Sequence, residues 1–459
     1  MQEKTHNKLA HENVGKLIFK MSVPAMFSML IQALYNIVDS AFVARIGTDA
    51  LTAVSLAFPI QILIVAVAVG TGVGVNSLIS RRLGEKRQAE ADSAATHGII
   101  LAALSAIPFI LFGVFFSRGF SAAFTASETV ASYGATYLFI VCVFSFTNTI
   151  QIMMEKVLQA TGNMIWPMIF QLIGAVLNII LDPILIFGYF GFPAMGVAGA
   201  AIATVFSLFV AMVFSLYVAM CKSHGVSFHL KGFKFNMRTV KNIYAVGAPS
   251  IVMQSVSSVM NMGLNGILAA FSDTAVAILG IYYKLQSFVF MPVFGLNSGV
   301  MPILGFNYGA RNKKRFMSAF KIALISAAAI MTVGFAVFNL IPIPLLSIFK
   351  ESGAEAASSE LVTLGVPALR TISLSFIPAA FSIICSTMFQ AAGKGKNSLI
   401  ISLARQLILI LPMAYFFSKI SLEAVWYAFP AAEIAALVMS LVISVSFYKK
   451  HIANLDKNI

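Results

Sequence analysis

The stretch GTGVGVNSLISRRLG at residues 70–84 has a counterpart at residues 295–309, which read GLNSGVMPILGFNYG. Three glycines keep their places in the two stretches, at a constant offset of 225 residues that carries Gly70 to Gly295. Glycine permits backbone geometries and close approaches that other residues do not, so its position marks structural equivalence. The agreement indicates an internal repeat rather than a coincidence of apolar composition.

The repeat extends well beyond these two stretches. The same offset pairs Pro24 with Pro249 and Asn36 with Asn261 in the preceding segments. Later in the chain the offset widens by six residues, which aligns Gln159, Ala160 and Gly162 with Gln390, Ala391 and Gly393. Two similar halves therefore account for most of the chain.

The composition is that of a protein embedded in a lipid bilayer. Hydrophobic residues make up 59% and charged residues 10% of the 459 residues, whereas soluble domains carry about 25% charged residues. Apolar stretches of about 18 residues or more recur, each long enough to cross a bilayer as a helix. Twelve spans are predicted, at residues 15–44, 51–80, 93–117, 128–157, 164–188, 195–220, 238–271, 274–305, 316–342, 358–390, 397–417 and 421–448. The expected fold class is an all-α polytopic membrane protein.

The two halves predict two bundles of six transmembrane helices each. Because six is an even number, both bundles enter from the same side, and the pseudo-two-fold axis that relates them runs along the membrane normal. We expect an N-terminal lobe at residues 1–220, a cytoplasmic linker at residues 221–241 and a C-terminal lobe at residues 242–459. Repeated bundles around a central path are typical of transporters.

The 31 lysines and arginines are distributed unevenly between the predicted loops. With the N-terminus inside, most of them fall on the cytoplasmic side. The outer side holds Arg45, Arg118, Lys350 and Lys419. Three more lie within spans, namely Lys284, Arg370 and Arg405. This bias predicts that both termini are cytoplasmic, and the net charge of +14 suits the anionic inner leaflet of a bilayer rather than a nucleic acid.

Two carboxylates lie inside predicted spans of the N-terminal half, Asp39 in the first and Asp182 in the fifth. A charged side chain in a spanning helix costs about 2.5–3.5 kcal/mol on insertion, so it usually has a function. Both lie at a similar depth below the outer ends of their spans, which allows them to meet. Tyr35 and Asn178 each precede a carboxylate by four residues and share its helix face. Pro183 frees a backbone carbonyl in the fifth span.

The sixth span adds Thr204 at a comparable depth. Carboxylates, an amide, hydroxyls and a freed carbonyl are hard oxygen ligands suited to a small cation. The same set suits a proton, because burial and a neighbouring carboxylate both favour the protonated acid. We therefore expect a coupling-ion site, with Asp39, Asn178 and Asp182 as metal ligands if the ion is Na+. The alternative interpretation is that one Asp staples a helix break at Pro183.

Several motifs recur together along the chain. They are Pro24, Tyr35-Asn36-Ile37-Val38-Asp39, Gly47, Ala53, Gln159-Ala160-Thr161-Gly162-Asn163, Asn178-Ile179-Ile180-Leu181-Asp182-Pro183 and Gly196-Val197-Ala198-Gly199-Ala200-Ala201. In combination they resemble the multidrug and toxic compound extrusion (MATE) transporters. The resemblance implies twelve helices in two lobes arranged as a V. It also implies export of lipophilic, mostly cationic small molecules in exchange for H+ or Na+.

The pattern is most similar to the bacterial branches of this family that place the ion site in the N-terminal lobe. The family's site residues then correspond to Tyr35, Asp39, Asn178, Asp182 and Thr204. A branch that uses acidic residues on helices 7 and 10 is not matched. The resemblance implies a monomer in the bacterial cytoplasmic membrane, with no cofactor beyond the coupling ion.

Depth along the spans gives further candidates for the wall of a substrate cavity. They are Asn148, Glu155, Met253, Met260, Lys284 and Phe288. Methionine and aromatic side chains suit such a wall because they adapt to varied ligands. Glu155 has an alternative role near the cytoplasmic end of its helix, where it would pair with Lys156 or with interfacial water.

The C-terminal half carries its own ionisable set within the spans: Lys284, Arg370, Arg405 and Glu433. We expect a structural ion pair between Arg405 and Glu433. The remaining positive charge keeps an alternative function open, a flippase for a lipid-linked glycan or another anionic amphiphile. The sequence shows no catalytic constellation, so we do not expect an enzyme. The substrate and the choice between H+ and Na+ stay open at this point.

Overall fold

The computed structural model describes residues 8–221, 225–229, 233–348 and 355–456, without the side chains of residues 355–359. Every regular element within these ranges is helical. Parts of the expected linker, residues 222–224 and 230–232, and the outer-side residue Lys350 lie outside the described residues.

Six spans form the N-terminal lobe. They are α1 (Val14–Ala44), α2 (Thr48–Gly84), α3 (Gln88–Phe124), α4a (Glu128–Val143) with α4b (Ser145–Ala160), α5 (Ile165–Phe187) and α6 (Gly196–Cys221). The fifth span is one continuous helix that contains Pro183. Pro183 thus removes a backbone donor without ending α5, and the helix break considered in the staple interpretation is not formed.

Six further spans form the C-terminal lobe. They are α7 (Met237–Ala269), α8 (Asp273–Gly309), α9 (Lys313–Leu340), α10a (Glu355–Ser373) with α10b (Phe376–Ala391), α11 (Gly395–Ser418) and α12 (Leu422–Ile452). A short helix, Pro342–Ser347, follows α9. Within α11, residues Ala404–Ile410 form a π-helical segment.

The twelve spans predicted from the apolar stretches are confirmed. Ten described helices are long and apolar enough to cross a membrane, and two bent pairs supply the remaining spans. The bends are 45° each and fall between α4a and α4b and between α10a and α10b. The bent spans hold equivalent places in the two halves, so the repeat extends to the shape of individual helices.

Glycines of the repeat bring the two lobes into contact. A Cβ atom on Gly84 of α2 would clash with the Phe306 carbonyl of α8, and one on Gly309 would clash with the Arg81 carbonyl of α2. Small residues permit such close backbone approach between membrane helices. Two further pairs make contacts that the repeat relates to each other: Gly74 and Gly70 of α2 lie against α7, and Gly299 and Gly295 of α8 lie against α1. We call these six glycines the inter-lobe seam.

The described part of the linker is bound to the N-terminal lobe. The backbone N–H groups of Ser227, His229 and Asn236 donate to Asp92 Oδ1 (2.8 Å), Thr96 Oγ1 (3.1 Å) and His97 Nε2 (2.9 Å) of α3. We call residues 225–229 and 233–236 the linker strap. The strap leads directly into α7, so the first helix of the C-terminal lobe is tied to the N-terminal lobe.

A matching strap ties the N-terminal lobe to the C-terminal lobe. Arg315 at the start of α9 donates to the carbonyls of Leu9 (3.1 Å) and Glu12 (2.8 Å). These residues immediately precede α1, and we call residues 8–12 the N-terminal strap. Each lobe therefore holds the segment that leads into the first helix of the other.

Candidate ion and substrate sites

Asp39 on α1 and Asp182 on α5 meet inside the N-terminal lobe. Asp182 is fully buried, and the two carboxyl groups lie close enough to interact directly. The Oδ1 atom of Asp39 is buried and has no hydrogen-bond partner among the described residues. Two carboxyl oxygens can share a hydrogen bond only when a proton lies between them, and a bound cation is the other way to relieve their repulsion. The pair is thus chemically suited to one positive charge.

Asn178 connects this pair to α6. In the amide orientation that satisfies both its oxygen and its nitrogen, Nδ2 donates to Asp182 Oδ2 (2.9 Å). Its oxygen then accepts from the hydroxyl and the backbone N–H of Thr204, both at 3.3 Å. The Tyr35 hydroxyl lies beside Thr204 in turn. All five residues expected at the ion site from the sequence are brought together by α1, α5 and α6.

Two residues that the sequence did not indicate lie beside this cluster. Tyr137 on α4a is buried within electrostatic range of both Asp39 and Asp182. Its hydroxyl accepts a hydrogen bond from Gln61 Nε2 of α2 (2.9 Å). Neither residue has a charge or a spacing that marks it in an apolar span, so only the fold could reveal their position.

A cavity of about 720 Å3 lies between the lobes. Tyr35, Asn178 and Thr204 contribute to its wall, but among the described residues Asp39 and Asp182 do not. The acidic pair therefore lies one layer behind the wall. We call Asp39, Asp182, Tyr35, Asn178 and Thr204 the ion cluster. A change in the hydrogen bonds of the acidic pair would shift Tyr35, Asn178 or Thr204, which face the cavity.

The N-terminal wall of the cavity carries a second buried carboxylate. Glu155 on α4b is 3% exposed and accepts hydrogen bonds from Gln151 (2.6 Å) and Gln171 (3.1 Å). Lys156 instead donates to Gln159 (3.1 Å). Two amides, rather than Lys156, are thus the hydrogen-bond partners of Glu155, and all of these side chains line the cavity.

The six cavity candidates from the sequence divide evenly. Asn148, Glu155 and Met253 line the cavity. Met260, Lys284 and Phe288, all described, are not among its lining residues. Met260 is buried in the C-terminal core, 9% exposed, while Lys284 and Phe288 lie four residues apart on the exposed face of α8. Three of the six candidates thus face the cavity, and three face the C-terminal core or the outer surface of α8.

The expected ion pair of the C-terminal half is formed. Arg405 Nη1 on α11 lies 3.4 Å from Glu433 Oε1 on α12. Arg370 is exposed on α10a, outside the cavity. Arg405 lines the cavity wall in addition to its contact with Glu433.

The ion cluster was also compared with the ligand sets of metal sites. No three His, Cys, Asp or Glu side chains of the described residues lie close enough together to hold a metal ion. The cluster offers two carboxylates with neutral oxygens from Asn178, Thr204 and Tyr35. This donor set fits a monovalent cation or a proton, both of which a transporter exchanges rather than retains.

Comparison with known proteins agrees with the duplicated architecture. The MatE family model matches residues 24–184 and 249–416, one segment in each lobe. The chain belongs to the MATE family. It is therefore a multi-pass membrane transporter for small molecules and not an enzyme.

MATE relatives of similar length align with the chain over nearly all of it. It is 26% identical to the multidrug export protein MepA of Staphylococcus haemolyticus over 432 residues, 94% of this chain and 93% of the relative. It is 27% identical to a FAD transporter of Shewanella oneidensis over 419 residues, 90% of each chain.

Solved MATE structures superpose closely on the fold. A crystal structure of MATE in complex with MaL6 matches with a TM-score of 0.92 and 26% identity, over 99% of this chain and 100% of that chain. An outward-facing multidrug resistance MATE transporter matches with a TM-score of 0.90 and 27% identity, over 98% of each chain. Both helix bundles are thus shared with these transporters.

Proposed function

We propose that the protein is a secondary active exporter that couples efflux of lipophilic, mostly cationic compounds to inward movement of an ion. The observation that carries the proposal is the contact between the Asp39 and Asp182 carboxyls. The names of the MepA relatives support multidrug export. Asp39, Asp182, Asn178, Tyr35 and Thr204 form the proposed coupling site.

Coupling follows from the position of the cluster behind the cavity wall. When the ion binds, Asp39 and Asp182 lose their mutual repulsion, and the hydrogen bonds of Asn178 and Thr204 adjust. Because Tyr35, Asn178 and Thr204 also face the cavity, the ion and the substrate act on the same side chains. A ligand shifts a two-state equilibrium only by its differential affinity for the two states. The ion and the substrate compete for Tyr35, Asn178 and Thr204, so each has a different affinity for the protein with and without the other bound.

We propose H+ as the coupling ion. A single proton satisfies the direct contact between the two carboxyls without any displacement. Na+ would need to enter between them, with Asp39, Asn178 and Asp182 as its ligands. The closeness of the two carboxyls therefore favours the proton, and a transport assay separates the two ions.

The same proposal includes the cellular setting and the domain limits. The bacterial relatives and the lysine and arginine distribution support the bacterial cytoplasmic membrane, with both termini inside. We propose lobes at residues 1–220 and 242–459, joined by a linker at residues 221–241. We also propose that the functional unit is a monomer, because the ion cluster and the cavity are completed within one chain.

The test is transport of a cationic dye into the lumen of everted vesicles, which corresponds to efflux from a cell, driven separately by a pH gradient and by a Na+ gradient. We expect the pH gradient alone to drive efflux, and Asp39→Asn to abolish it while the protein still inserts. Asp182→Asn should cause nearly the same loss. Asp49→Asn, an exposed carboxylate at the start of α2, is the matched control and should transport normally. Gradient-driven efflux by Asp39→Asn at the wild-type rate would contradict the proposal.

A further inference from the structure

The C-terminal wall of the cavity carries a single charge. Of the described residues that line the cavity, the charged ones are Glu155 and Lys156 from the N-terminal lobe and Arg405 from the C-terminal lobe. Its other polar lining residues are largely amides and hydroxyls. Arg405 therefore sets the sign of the electrostatic potential on its side of the cavity.

Arg405 is presented by an irregular segment of α11. It lies in the π-helical stretch Ala404–Ile410, and π-helical insertions occur frequently at functional sites. The next residue, Gln406, is fixed on both sides, since it accepts from Ser257 (2.8 Å) and donates to Ser402 (2.8 Å). The backbone that carries Arg405 is thus held at a defined place on the wall.

The ion pair with Glu433 anchors Arg405 but does not use its full capacity. One contact of 3.4 Å joins Nη1 to Glu433 Oε1, and the arginine side chain is 21% exposed. A guanidinium has five N–H donors in a planar fork that matches a carboxylate with two parallel hydrogen bonds. Glu433 therefore holds the group in position from behind, and further donors are left for a ligand in the cavity.

The opposite wall carries one charge of each sign, Glu155 and Lys156, and these balance each other. The Asp39–Asp182 pair lies one layer behind Tyr35, Asn178 and Thr204 and adds negative charge on this side of the cavity. A compound with a cationic and an anionic end would find a complementary wall at each side.

We propose that Arg405 is the centre of an anion subsite that binds the carboxylate of zwitterionic substrates. This proposal rests on the proposed function insofar as it takes the cavity to be the transport site. The subsite would allow the cavity to hold one compound by its cationic and its anionic end at the same time. Lys284 and Arg370, the other two cations within the C-terminal spans, have no part in the subsite because they lie outside the cavity.

The test uses two dyes that differ in one group. Tetramethylrhodamine carries a free carboxylate, and its methyl ester carries the same cationic ring without that charge. Binding of each dye to the purified protein in nanodiscs is measured by fluorescence anisotropy, with no gradient present. We expect Arg405→Gln to weaken binding of the acid about tenfold or more, the usual size of a lost charge-assisted hydrogen bond, and to leave the ester within about twofold. Lys284→Gln, an exposed cation on α8, is the matched control and should change neither.

Two further variants separate binding from folding. Arg405→Gln leaves Glu433 buried without its partner, so the double variant Arg405→Gln/Glu433→Gln is measured in parallel and should show the same selective loss. Arg405→Lys keeps the charge without the planar fork and should give an intermediate affinity for the acid. Equal weakening of both dyes, or wild-type protein that does not bind the acid, would overturn the subsite.

The outcome is independent of the coupling test. If Asp39→Asn retains gradient-driven efflux but Arg405→Gln loses the acid selectively, the coupling site is wrong and the anion subsite stands. If efflux depends on Asp39 while Arg405→Gln binds the acid normally, the proposed coupling site is supported and the anion subsite at Arg405 is rejected.

Discussion

Gly84 and Gly309 hold equivalent places in the two repeats, and each lies against the backbone of the helix that carries the other. The carbonyls they approach, Phe306 and Arg81, are themselves separated by the repeat offset. The contact is therefore symmetric about the pseudo-two-fold axis. It closes the same end of both lobes at once, because neither glycine can separate from its partner helix without the other.

We expect Gly84→Leu and Gly309→Leu to prevent this closure to a similar extent. Overpacking of a close contact costs about 1–3 kcal/mol, enough to change the population of the closed state about tenfold. An engineered cysteine at Ser77 would become accessible to a membrane-impermeant thiol reagent from the cytoplasmic side. Gly280→Leu, at a glycine with open space around its Cβ position, should leave the labelling unchanged. Unequal effects of the two seam substitutions would contradict a symmetric closure.

The two halves share a fold, but we expect only the first to hold an ion. At the position of Asp39 the second half has Leu264, which is fully buried, and at that of Tyr35 it has Met260. Leu264→Asp should not restore efflux to the Asp39→Asn protein. It should also lower thermal stability by several degrees, because a carboxylate without a partner would be buried. Recovery of proton-driven efflux in the double variant would show that either lobe can host the site.

Glu155 should govern affinity for cations. In Glu155→Gln the new amide cannot accept from both Gln151 and Gln171, and the negative charge is lost from the wall. We expect binding of the tetramethylrhodamine ester to weaken about 3–10-fold. Transport should still be driven by the pH gradient, because the Asp39–Asp182 pair is unchanged. Glu128→Gln, an exposed carboxylate at the start of α4a, is the control. An unchanged affinity for the ester would remove Glu155 from the binding wall.

His97 should hold the linker strap in place. His97→Ala removes the acceptor of the Asn236 N–H, and the loss of one hydrogen bond costs about 0.5–1.5 kcal/mol. We expect limited proteolysis within residues 225–236 to accelerate about tenfold. His229→Ala is the control, because His229 is exposed and contributes its backbone N–H to the strap. Equal rates of cleavage in the two variants would show that Asp92 and Thr96 are sufficient to hold the linker strap on α3.

The sequence was sufficient for the architecture and for the ion cluster. Hydropathy located the spans, and residues with special backbone properties located the repeat. Asp39 and Asp182 could be paired because charge in a bilayer is rare and their depths agreed. Asn178 and Tyr35 followed from the four-residue spacing, which places side chains on one helix face.

Two kinds of feature could not be predicted from the sequence. One is the direction in which a side chain points around its helix axis, and the other is irregular backbone within a helix. Lys284 and Phe288 have the depth expected of cavity residues, but α8 turns them away from the cavity. Tyr137 and Gln61 carry no charge that would mark them in a span. The π-helical segment that presents Arg405 arises from hydrogen bonding that no local pattern of apolar residues encodes.

The crossed straps bear on how such a chain arises. Residues 8–12 are bound by α9, and residues 225–229 and 233–236 are bound by α3, so each leading segment belongs to one repeat and is held by the other. For two separate copies of the repeat, this arrangement would be an exchange of N-terminal arms between subunits. In the fused chain, one such arm leads into the first lobe and the other forms the connection between the lobes. The linker therefore takes the place of the second repeat's N-terminal arm as well as joining the lobes covalently.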